Sequence, residues 1–229
     1  MSFVPVDESF SVGQYAGLAH AEIDNLLAGG QTPIVVGGTG LYLRAALAQL
    51  DLRPAPSAGV RERLELELVK RGPAVLHTEL AATAPEEAAR IDPADGRRIV
   101  RALELAEMGE LQQAPDESQL WSGSTRHPTR LVALVMERDE LYRRIDERVD
   151  HMVAAGAVAE VQAAEAGGAS KTARKALGFQ ELLDGDVEAM KRRSRNLAKR
   201  QLTWLRKLAG VELHDVTGRS ADEVAAALR

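Results

Sequence analysis

Residues 33–47, PIVVGGTGLYLRAAL, decide the fold. The β-branched run at 33–36 predicts a buried parallel strand, and a strand that leads through a tight turn into a helix is typical of α/β proteins. Such proteins bind ligands at the carboxyl ends of their strands. The glycines of the turn at 37–40 allow close backbone approach, and Thr39 adds a hydroxyl near the next helix N-terminus. A tight turn without a ligand would use the same glycines, so both interpretations stay open.

The periodicity of the flanking sequence predicts mainly helices. We expect them at 11–27, 41–50, within 60–108 with new starts at Pro73, Pro85 and Pro93, at 139–156 with Asp139 as N-cap, and at 157–166, 179–190 and 191–208. Strands are predicted at 130–137 and, as a last short one, at 211–216. The order predicts an α/β core formed by 1–50 and 129–229, interrupted by a helical insertion domain at 51–128.

These strands are too few for a parallel sheet in which 33–36 is buried on both faces. We therefore expect that the first part of the sheet is missing from this chain.

The composition excludes several classes of site. The chain has no cysteine, so a disulfide framework, a thiol nucleophile and a Cys-ligated zinc are excluded. Its five histidines show no H-E-x-x-H spacing, no G-x-S-x-G occurs, and we predict no metal ligand among its side chains. Because no long apolar run and no signal peptide are present, we expect a cytoplasmic protein.

Positive charge is concentrated late in the chain. Residues 168–207 hold eleven Lys/Arg against four Asp/Glu, although the whole chain has a net charge of −5. This surplus predicts a polyanion site, and the alternative is a solvated basic helix whose side chains lie over the core. Arg144 and Arg148 are four residues apart on one helix face and could grip phosphate oxygens. Pairing with Glu140 and Glu147 is the alternative.

Six segments, in this order, resemble the tRNA dimethylallyltransferase family. They are PIVVGGTGLYLRAAL (33–47), VRERLE (60–65), ARIDPADGRRIVRALEL (89–105), LYRRIDERVDHMVAAGAVAEV (141–161), ARKALGFQEL (173–182) and AKRQLTWLRK (198–207). The resemblance implies a P-loop-type α/β core with a helical insertion. It also implies transfer of a dimethylallyl group from dimethylallyl diphosphate to N6 of the adenosine 3′ to the anticodon. The implied cofactor is Mg²⁺, the partner is the tRNA anticodon stem-loop, and a monomer is expected.

The resemblance also implies roles for single residues. Arg148 matches a diphosphate contact, and Thr39 would face the reacting nucleotide. Further positions that match tRNA contacts or are candidates for holding phosphates are Arg61, Arg90, Ile91, Asp92, Pro93, Arg98, Arg101, Lys175, Ala176, Leu177, Gly178, Phe179, Lys199 and Arg200.

The sequence departs from the family pattern at its start. Family members open with a P-loop, which cradles diphosphate and magnesium, and with an aspartate in a D-S-x-Q-x-Y stretch as the proposed general base. Neither motif occurs in these 229 residues. We therefore expect a truncated sequence with little or no transfer activity. The alternatives are a non-enzymatic RNA-binding module and an adenylate-directed isopentenyltransferase; the long helical insertion and the basic C-terminal helix argue against the latter.

Overall fold

The computed structural model describes residues 3–52, 59–111 and 123–228. The helices, in chain order, are α1 Val12–Ala28, α2 Gly40–Leu47, α3 Val60–Arg71, α4 Pro73–Thr83, α5 Pro85–Ala88, α6 Gly96–Glu107, α7 Arg138–Ala154, α8 Ala157–Ala166, α9 Phe179–Leu183, α10 Val187–Leu205 and α11 Ala221–Leu228. A 3₁₀ turn lies at Ala173–Lys175, and the strands are β1 Leu131–Val135 and β2 Val211–Asp215. Across the three described ranges, every helix is too short or too polar to cross a membrane.

The chain divides into two compact units. Unit 1 comprises Met1–Leu50 and Leu120–Arg229, and unit 2 comprises Asp51–Gln119. The predicted insertion extended to residue 128. In the structure, the stretch after residue 123 belongs to unit 1 and is joined to α2 by two hydrogen bonds. The Arg126 N–H donates to the Leu47 carbonyl, and the buried Arg44 guanidinium donates to the Ser124 carbonyl, each at 2.8 Å.

The sheet of unit 1 pairs β1 with β2 in parallel, with Leu131 opposite Val211 and Val135 opposite Asp215. Parallel strands need a long crossover, and the helices α7 to α10 supply it. Ala133 is buried, whereas Leu134 on β1 is 53% exposed. Both the strand predicted at 130–137 and the one predicted at 211–216 are confirmed, with slightly shorter bounds.

The prediction of a buried strand at 33–36 is wrong. These residues have no regular secondary structure, and the side chains of Ile34 and Val36 are 85% and 89% exposed. A strand requires a neighbour that receives its N–H and C=O groups. In the part of the chain that the structure describes, β1 and β2 pair only with each other. The β-branched run therefore has no strand beside it, and the expected missing part of the sheet stays a prediction.

Helix ends follow local capping chemistry. Ser11 is the N-cap of α1 and forms a capping box with Gln14. The helix start predicted at residue 11 therefore agrees with the structure to within one residue. The N-cap of α7 is Glu137, whose carboxylate accepts from Asp139 N at 2.7 Å, so the prediction of Asp139 as N-cap is wrong by two residues. The boundary between the helices predicted at 179–190 and 191–208 lies earlier in the chain than predicted, because α9 ends at Leu183 and α10 begins at Val187. Asp186 caps α10, directly after Gly185 at φ +72°.

The helices of unit 1 share a small apolar cluster. Val149 of α7, Leu182 of α9 and Met190 of α10 are buried together, and Val158 and Val161 of α8 pack against them. This cluster fixes α7 beside α10.

Unit 2 has a core of its own. Most of its buried residues come from α3, α4 and α6 and include Leu64, Leu76, Leu80 and Ile99. Pro73 and Pro85 occupy first helical positions, as predicted. Pro93 does not begin a helix, because α6 starts three residues later behind the N-cap Asp95. That carboxylate accepts from Arg98 N at 3.1 Å.

Candidate active site and nucleic-acid interface

The glycine turn of unit 1 leads into α2, with Thr39 as the N-cap residue. The Thr39 carbonyl accepts from Leu43 N at 3.0 Å, whereas its side chain makes no capping hydrogen bond and is exposed. The hydroxyl that the sequence singled out therefore lies at the surface, at the start of a helix.

Residues from α10 pack against this turn. A Cβ atom on Gly38 would lie 2.3 Å from Nε2 of Gln201, and one on Gly40 would lie 1.9 Å from Cε2 of Trp204. These glycines thus make room for α10. A close contact within the fold therefore requires glycine at both positions, and a role of this turn in ligand binding stays a prediction.

An open groove of about 420 Å³ runs along α7. Its lining residues are Arg144, Glu147, Arg148, His151, Met152 and Ala155. The predicted helix face that carries Arg144 and Arg148 is therefore present. Arg144 forms an ion pair with Glu140, and Glu147 accepts from Arg143 at 2.7 Å. Among the described residues, no ion pair is formed by Arg148, and its side chain is exposed in the groove.

The structure does not bring Thr39 into this groove. Thr39 lies between Gly38 and Gly40, the two glycines that pack against Gln201 and Trp204 near the C-terminal end of α10. Two α10 residues that contact α7 are Lys191 and Arg195, which pair with Asp150 and Asp146. Since Arg148 lies two residues from both carboxylates, it points to a different side of α7. A joint role for Thr39 and Arg148 stays a prediction.

Cationic groups surround Tyr142 between α7 and α10. The Arg138 and Arg195 guanidinium carbons lie 5.2 and 6.0 Å from the ring centroid. Desolvation raises the pKa of the Tyr142 phenol, but Arg138 and Lys199 together outweigh it, so that its pKa is lower than usual. Lys199, one of the predicted phosphate ligands, therefore lies beside a tyrosine ring and two arginines.

Much of the positive charge on α10 is used inside the fold. Four basic side chains make ion pairs: Lys191 with Asp150 (2.7 Å), Arg192 with Asp186 (3.8 Å), Arg193 with Glu181, and Arg195 with Asp146 (2.5 Å). Lys199 and Arg200 are exposed farther along the helix. The charge surplus found in the sequence thus supports the packing of α7, α9 and α10 as well as any polyanion site.

The predicted contact segment 175–179 is half exposed and half buried. Lys175 and Ala176 are exposed. Phe179 is only 7% exposed, and Leu177 packs against the cluster around Val149. Gly178 has φ +97°, and a Cβ there would lie 2.8 Å from Met190 Cε. The side chains of Leu177 and Phe179 thus belong to the core, and the contact of this segment with tRNA stays a prediction.

In unit 2, the predicted contact turn 90–93 is held by a histidine. His77 Nε2 lies 3.0 Å from the Ala88 carbonyl and 3.1 Å from that of Ile91. The Ile91 side chain is 8% exposed and belongs to the core of unit 2, and the contact of this turn with tRNA stays a prediction. The side chains of Arg90, Asp92 and Pro93 are exposed around this anchor.

A buried carboxylate joins Arg61, a predicted tRNA contact, to Arg101, a predicted phosphate ligand. Glu104 of α6 is fully buried, and its Oε2 accepts from Arg61 at 2.9 Å and from Arg101 at 2.5 Å. The Arg61 and Arg101 side chains are 38% and 26% exposed. Arg98 is 71% exposed and lies 3.5 Å from the Asp95 carboxylate.

No group of three or more His, Asp or Glu side chains that could hold a metal occurs among residues 3–52, 59–111 and 123–228. Magnesium stays an expectation from the family.

A model of the IPP transferase family matches residues 1–208. The chain belongs to this family. It is 40% identical to the tRNA dimethylallyltransferase of Geobacillus thermodenitrificans over 92% of this chain and 70% of the relative. It is 42% identical to that of Streptomyces griseus, over 90% of this chain and 68% of the relative.

Solved structures agree with the family membership. The tRNA isopentenylpyrophosphate transferase of Bacillus halodurans aligns with all of this chain at TM-score 0.65 and 32% identity, and 74% of that protein is covered. A eukaryotic dimethylallyltransferase acting on tRNA aligns with 99% of this chain at TM-score 0.73, 24% identity and 63% coverage of that protein, and this likeness shows the fold alone. The predicted family and its fold are confirmed.

Sequence reasoning missed several residues that build the site of this IPP transferase. Glu104 and His77 hold predicted contacts in place, and Gln201 and Trp204 pack against the glycine turn. One signal was available for Glu104. It follows Arg101 by three residues on an otherwise apolar helix face, where a carboxylate needs a cationic partner.

Proposed function

We propose that this IPP transferase acts in tRNA modification. It would transfer a dimethylallyl group from dimethylallyl diphosphate to N6 of the adenosine on the 3′ side of the anticodon. The observation that carries the proposal is the 40% identity to a relative named tRNA dimethylallyltransferase over 92% of this chain. We also propose that it acts as a monomer on the anticodon stem-loop.

The chemistry requires positive charge beside the diphosphate. The allylic C–O bond breaks with its electron pair going to the leaving diphosphate, while the adenine amine forms the new C–N bond and loses a proton. Cationic groups at the developing charge stabilise this transition state. Arg148 supports the assignment because its exposed guanidinium lines the α7 groove and, among the described residues, has no carboxylate partner. Its fork of donors fits phosphate oxygens.

Each unit carries basic residues suited to RNA phosphates. In unit 1 these are Lys199 and Arg200, which are exposed on α10. In unit 2 they are Arg61, Arg98 and Arg101. We assign these five residues to the RNA backbone and Thr39 to the target nucleotide, which must leave its stack to meet the allyl carbon.

RNA binding tests the proposal independently of the chemistry. The chain is titrated into a labelled anticodon stem-loop at several salt concentrations, with an unrelated hairpin of equal length as the comparison. We expect tighter binding of the anticodon hairpin and an affinity that falls steeply with salt. Equal affinity for both hairpins, or a flat salt response, contradicts the proposal.

Matched arginine variants on α10 sharpen this test. Arg200→Ala should weaken RNA binding, whereas Arg192→Ala should have little effect because Arg192 is paired with Asp186. Transfer is followed by mass spectrometry of the RNA after incubation with dimethylallyl diphosphate and magnesium. A hairpin with guanosine in place of the target adenosine should gain no mass, and modification of free adenylate in preference to RNA would favour the adenylate-directed alternative.

A further inference from the structure

A tyrosine hydroxyl lies beside two cations where α7 meets α10. The phenol oxygen of Tyr142 is buried and makes no hydrogen bond of normal geometry in the part of the chain that the structure describes. The neighbours that act on it are Arg138, whose guanidinium carbon lies 5.2 Å from the ring centroid, and Lys199. Arginine and lysine side chains are hydrogen-bond donors without an acceptor. The proton of the phenol therefore has no acceptor on either neighbour.

No carboxylate neutralises these two cations. Across residues 3–52, 59–111 and 123–228, neither Arg138 nor Lys199 forms an ion pair, and both side chains are exposed. Arg195, the third cation near the ring, donates to both carboxylate oxygens of Asp146. Like charges on neighbouring helices repel one another unless an anion lies between them. Arg138, Tyr142 and Lys199, here called the Tyr142 cluster, thus lack an anion.

Packing explains the Tyr142 ring but not its hydroxyl. Val149 and Met190 hold α7 beside α10, and the pair of Asp146 with Arg195 joins the same two helices. A guanidinium over an aromatic face interacts with the ring alone, so phenylalanine would serve equally well for that contact. A buried hydroxyl without a partner costs free energy. A ligand that accepts its proton accounts for this hydroxyl better than packing does.

The electrostatics of the Tyr142 cluster favour negative charge. Desolvation raises the pKa of the Tyr142 phenol, but Arg138 and Lys199 outweigh it, so that the pKa is lower than usual. A lowered phenol pKa means that a negative charge on the hydroxyl oxygen is stabilised. A phosphate oxygen close to the hydroxyl would gain from the same two cations, and it would also accept the proton of the phenol.

We infer that Arg138, Tyr142 and Lys199 form a binding site for one phosphate group, to which the phenol hydroxyl and both cationic side chains donate hydrogen bonds. Because the two cationic side chains are long and exposed, they can move apart and admit the anion. The phosphate belongs to the RNA backbone or to the donor diphosphate, so the identity of the ligand rests on the proposed function. The inference adds Arg138 and Tyr142 to Lys199, which is already assigned to the RNA backbone.

Tyr142→Phe tests the hydroxyl alone, because it keeps the ring and every charge. Two probes are titrated into wild type and variant: a labelled anticodon stem-loop and inorganic diphosphate. We expect about tenfold weaker binding of the probe that occupies the site, as when a hydrogen bond to a charged group is lost. The unfolding temperature should stay the same or rise, because the hydroxyl makes no hydrogen bond of normal geometry within the described residues. A lower unfolding temperature with wild-type affinity for both probes would assign the hydroxyl to stability and overturn the inference.

Arg138→Gln tests the Tyr142 cluster through an exposed residue, even if Tyr142→Phe fails to fold. Its matched control is Arg143→Gln, because Arg143 is exposed on the same helix but pairs with Glu147 at 2.7 Å. We expect about tenfold weaker binding for Arg138→Gln and little change for the control. Where the ligand is RNA, the logarithmic slope of affinity against salt should also become shallower by about 0.7–0.9. Equal affinities of the two variants for both probes overturn the inference.

The two probes separate the sources of the phosphate. Weaker binding of the stem-loop alone by Tyr142→Phe assigns the site to the RNA backbone, and weaker binding of diphosphate alone assigns it to the donor. A wild-type chain that binds neither probe overturns the inference. If the wild-type chain binds the anticodon stem-loop and an unrelated hairpin equally, while Tyr142→Phe weakens both, the proposed function fails and the phosphate site stands.

Discussion

Replacing Gly40 by alanine tests how the glycine turn is built. A Cβ atom at this position would lie 1.9 Å from Cε2 and 2.3 Å from Cδ2 of the Trp204 ring. Non-bonded carbon atoms are normally about 3.5–4.0 Å apart. The ring is rigid at these atoms, so either the start of α2 or the whole indole has to move.

The size of the effect follows from two opposing contributions. Overpacking of this kind typically costs about 1–3 kcal/mol. Alanine is favoured over glycine by about 1 kcal/mol inside a helix, and by less at the first position of α2, where Gly40 lies. We expect Gly40→Ala to lower the free energy of unfolding by about 1–2 kcal/mol. In a chain of this length, that corresponds to a Tm about 2–8 °C lower.

Urea unfolding followed by circular dichroism measures the effect, with an unchanged m-value as the sign that the compactness of the folded state is kept. Gly38→Ala is the control, because the nearest atom there is Nε2 of Gln201 at 2.3 Å, the mobile end of a flexible side chain. That substitution should stay within about 0.5 kcal/mol of wild type. Equal losses in both variants, or no recovery when Trp204→Leu is added to Gly40→Ala, would refute the proposed packing.

Three further outcomes are expected. Arg148→Ala should lower the rate of prenyl transfer in an active form of the enzyme and leave RNA affinity unchanged, whereas Arg143→Ala should alter neither; a loss confined to RNA affinity would contradict the diphosphate role. Phe179→Leu should leave RNA affinity unchanged in binding titrations, because the ring is buried and cannot stack on a base. The pKa of the Asp24 carboxyl is below its usual range because of its hydrogen bonds to Arg126 and then His127. The stabilisation from ionised Asp24 is therefore complete above about pH 4 and lost as the pH falls through the lower folded-state pKa, so urea midpoints of Asp24→Asn and wild type should converge on acidification.

Most helices could be predicted from the sequence because their signals are local. The periodic apolar residues of α1 and the capping box of Ser11 and Gln14 lie within a few residues of each other. The same holds for Pro73 and Pro85, each at the first position of a helix. The end of α9 is an exception, because a glycine between two aspartates at 184–186 divides what the periodicity predicts as one longer helix.

The segment at 33–36 could not be predicted from its own residues. Its β-branched side chains favour a strand, but a strand forms only when another strand receives its hydrogen bonds. The strands β1 and β2 have that partner in each other, so the same kind of local pattern gives a strand at 131–135 and none at 33–36. Strand prediction from one segment therefore depends on the rest of the sheet.

The candidate site shows a second limit. A resemblance marks a position, and the structure decides what the side chain there can reach. Arg90 and Lys175 are exposed, whereas Ile91 and Phe179 in the same two segments fill the cores of their units. The apolar members of a contact segment thus hold its polar members in place.

The net charge of a segment also differs from the charge that it offers to a ligand. The sequence of α10 predicts a strongly basic face, but Lys191 and Arg195 are engaged by Asp150 and Asp146 of α7. A cation that already pairs with a carboxylate within the fold binds a phosphate only weakly, because the carboxylate occupies the position that the phosphate would take. In unit 2, the buried Glu104 carboxylate likewise pairs with both Arg61 and Arg101. The balance of partners around each cation, rather than the count of cations, therefore indicates where an RNA phosphate can bind.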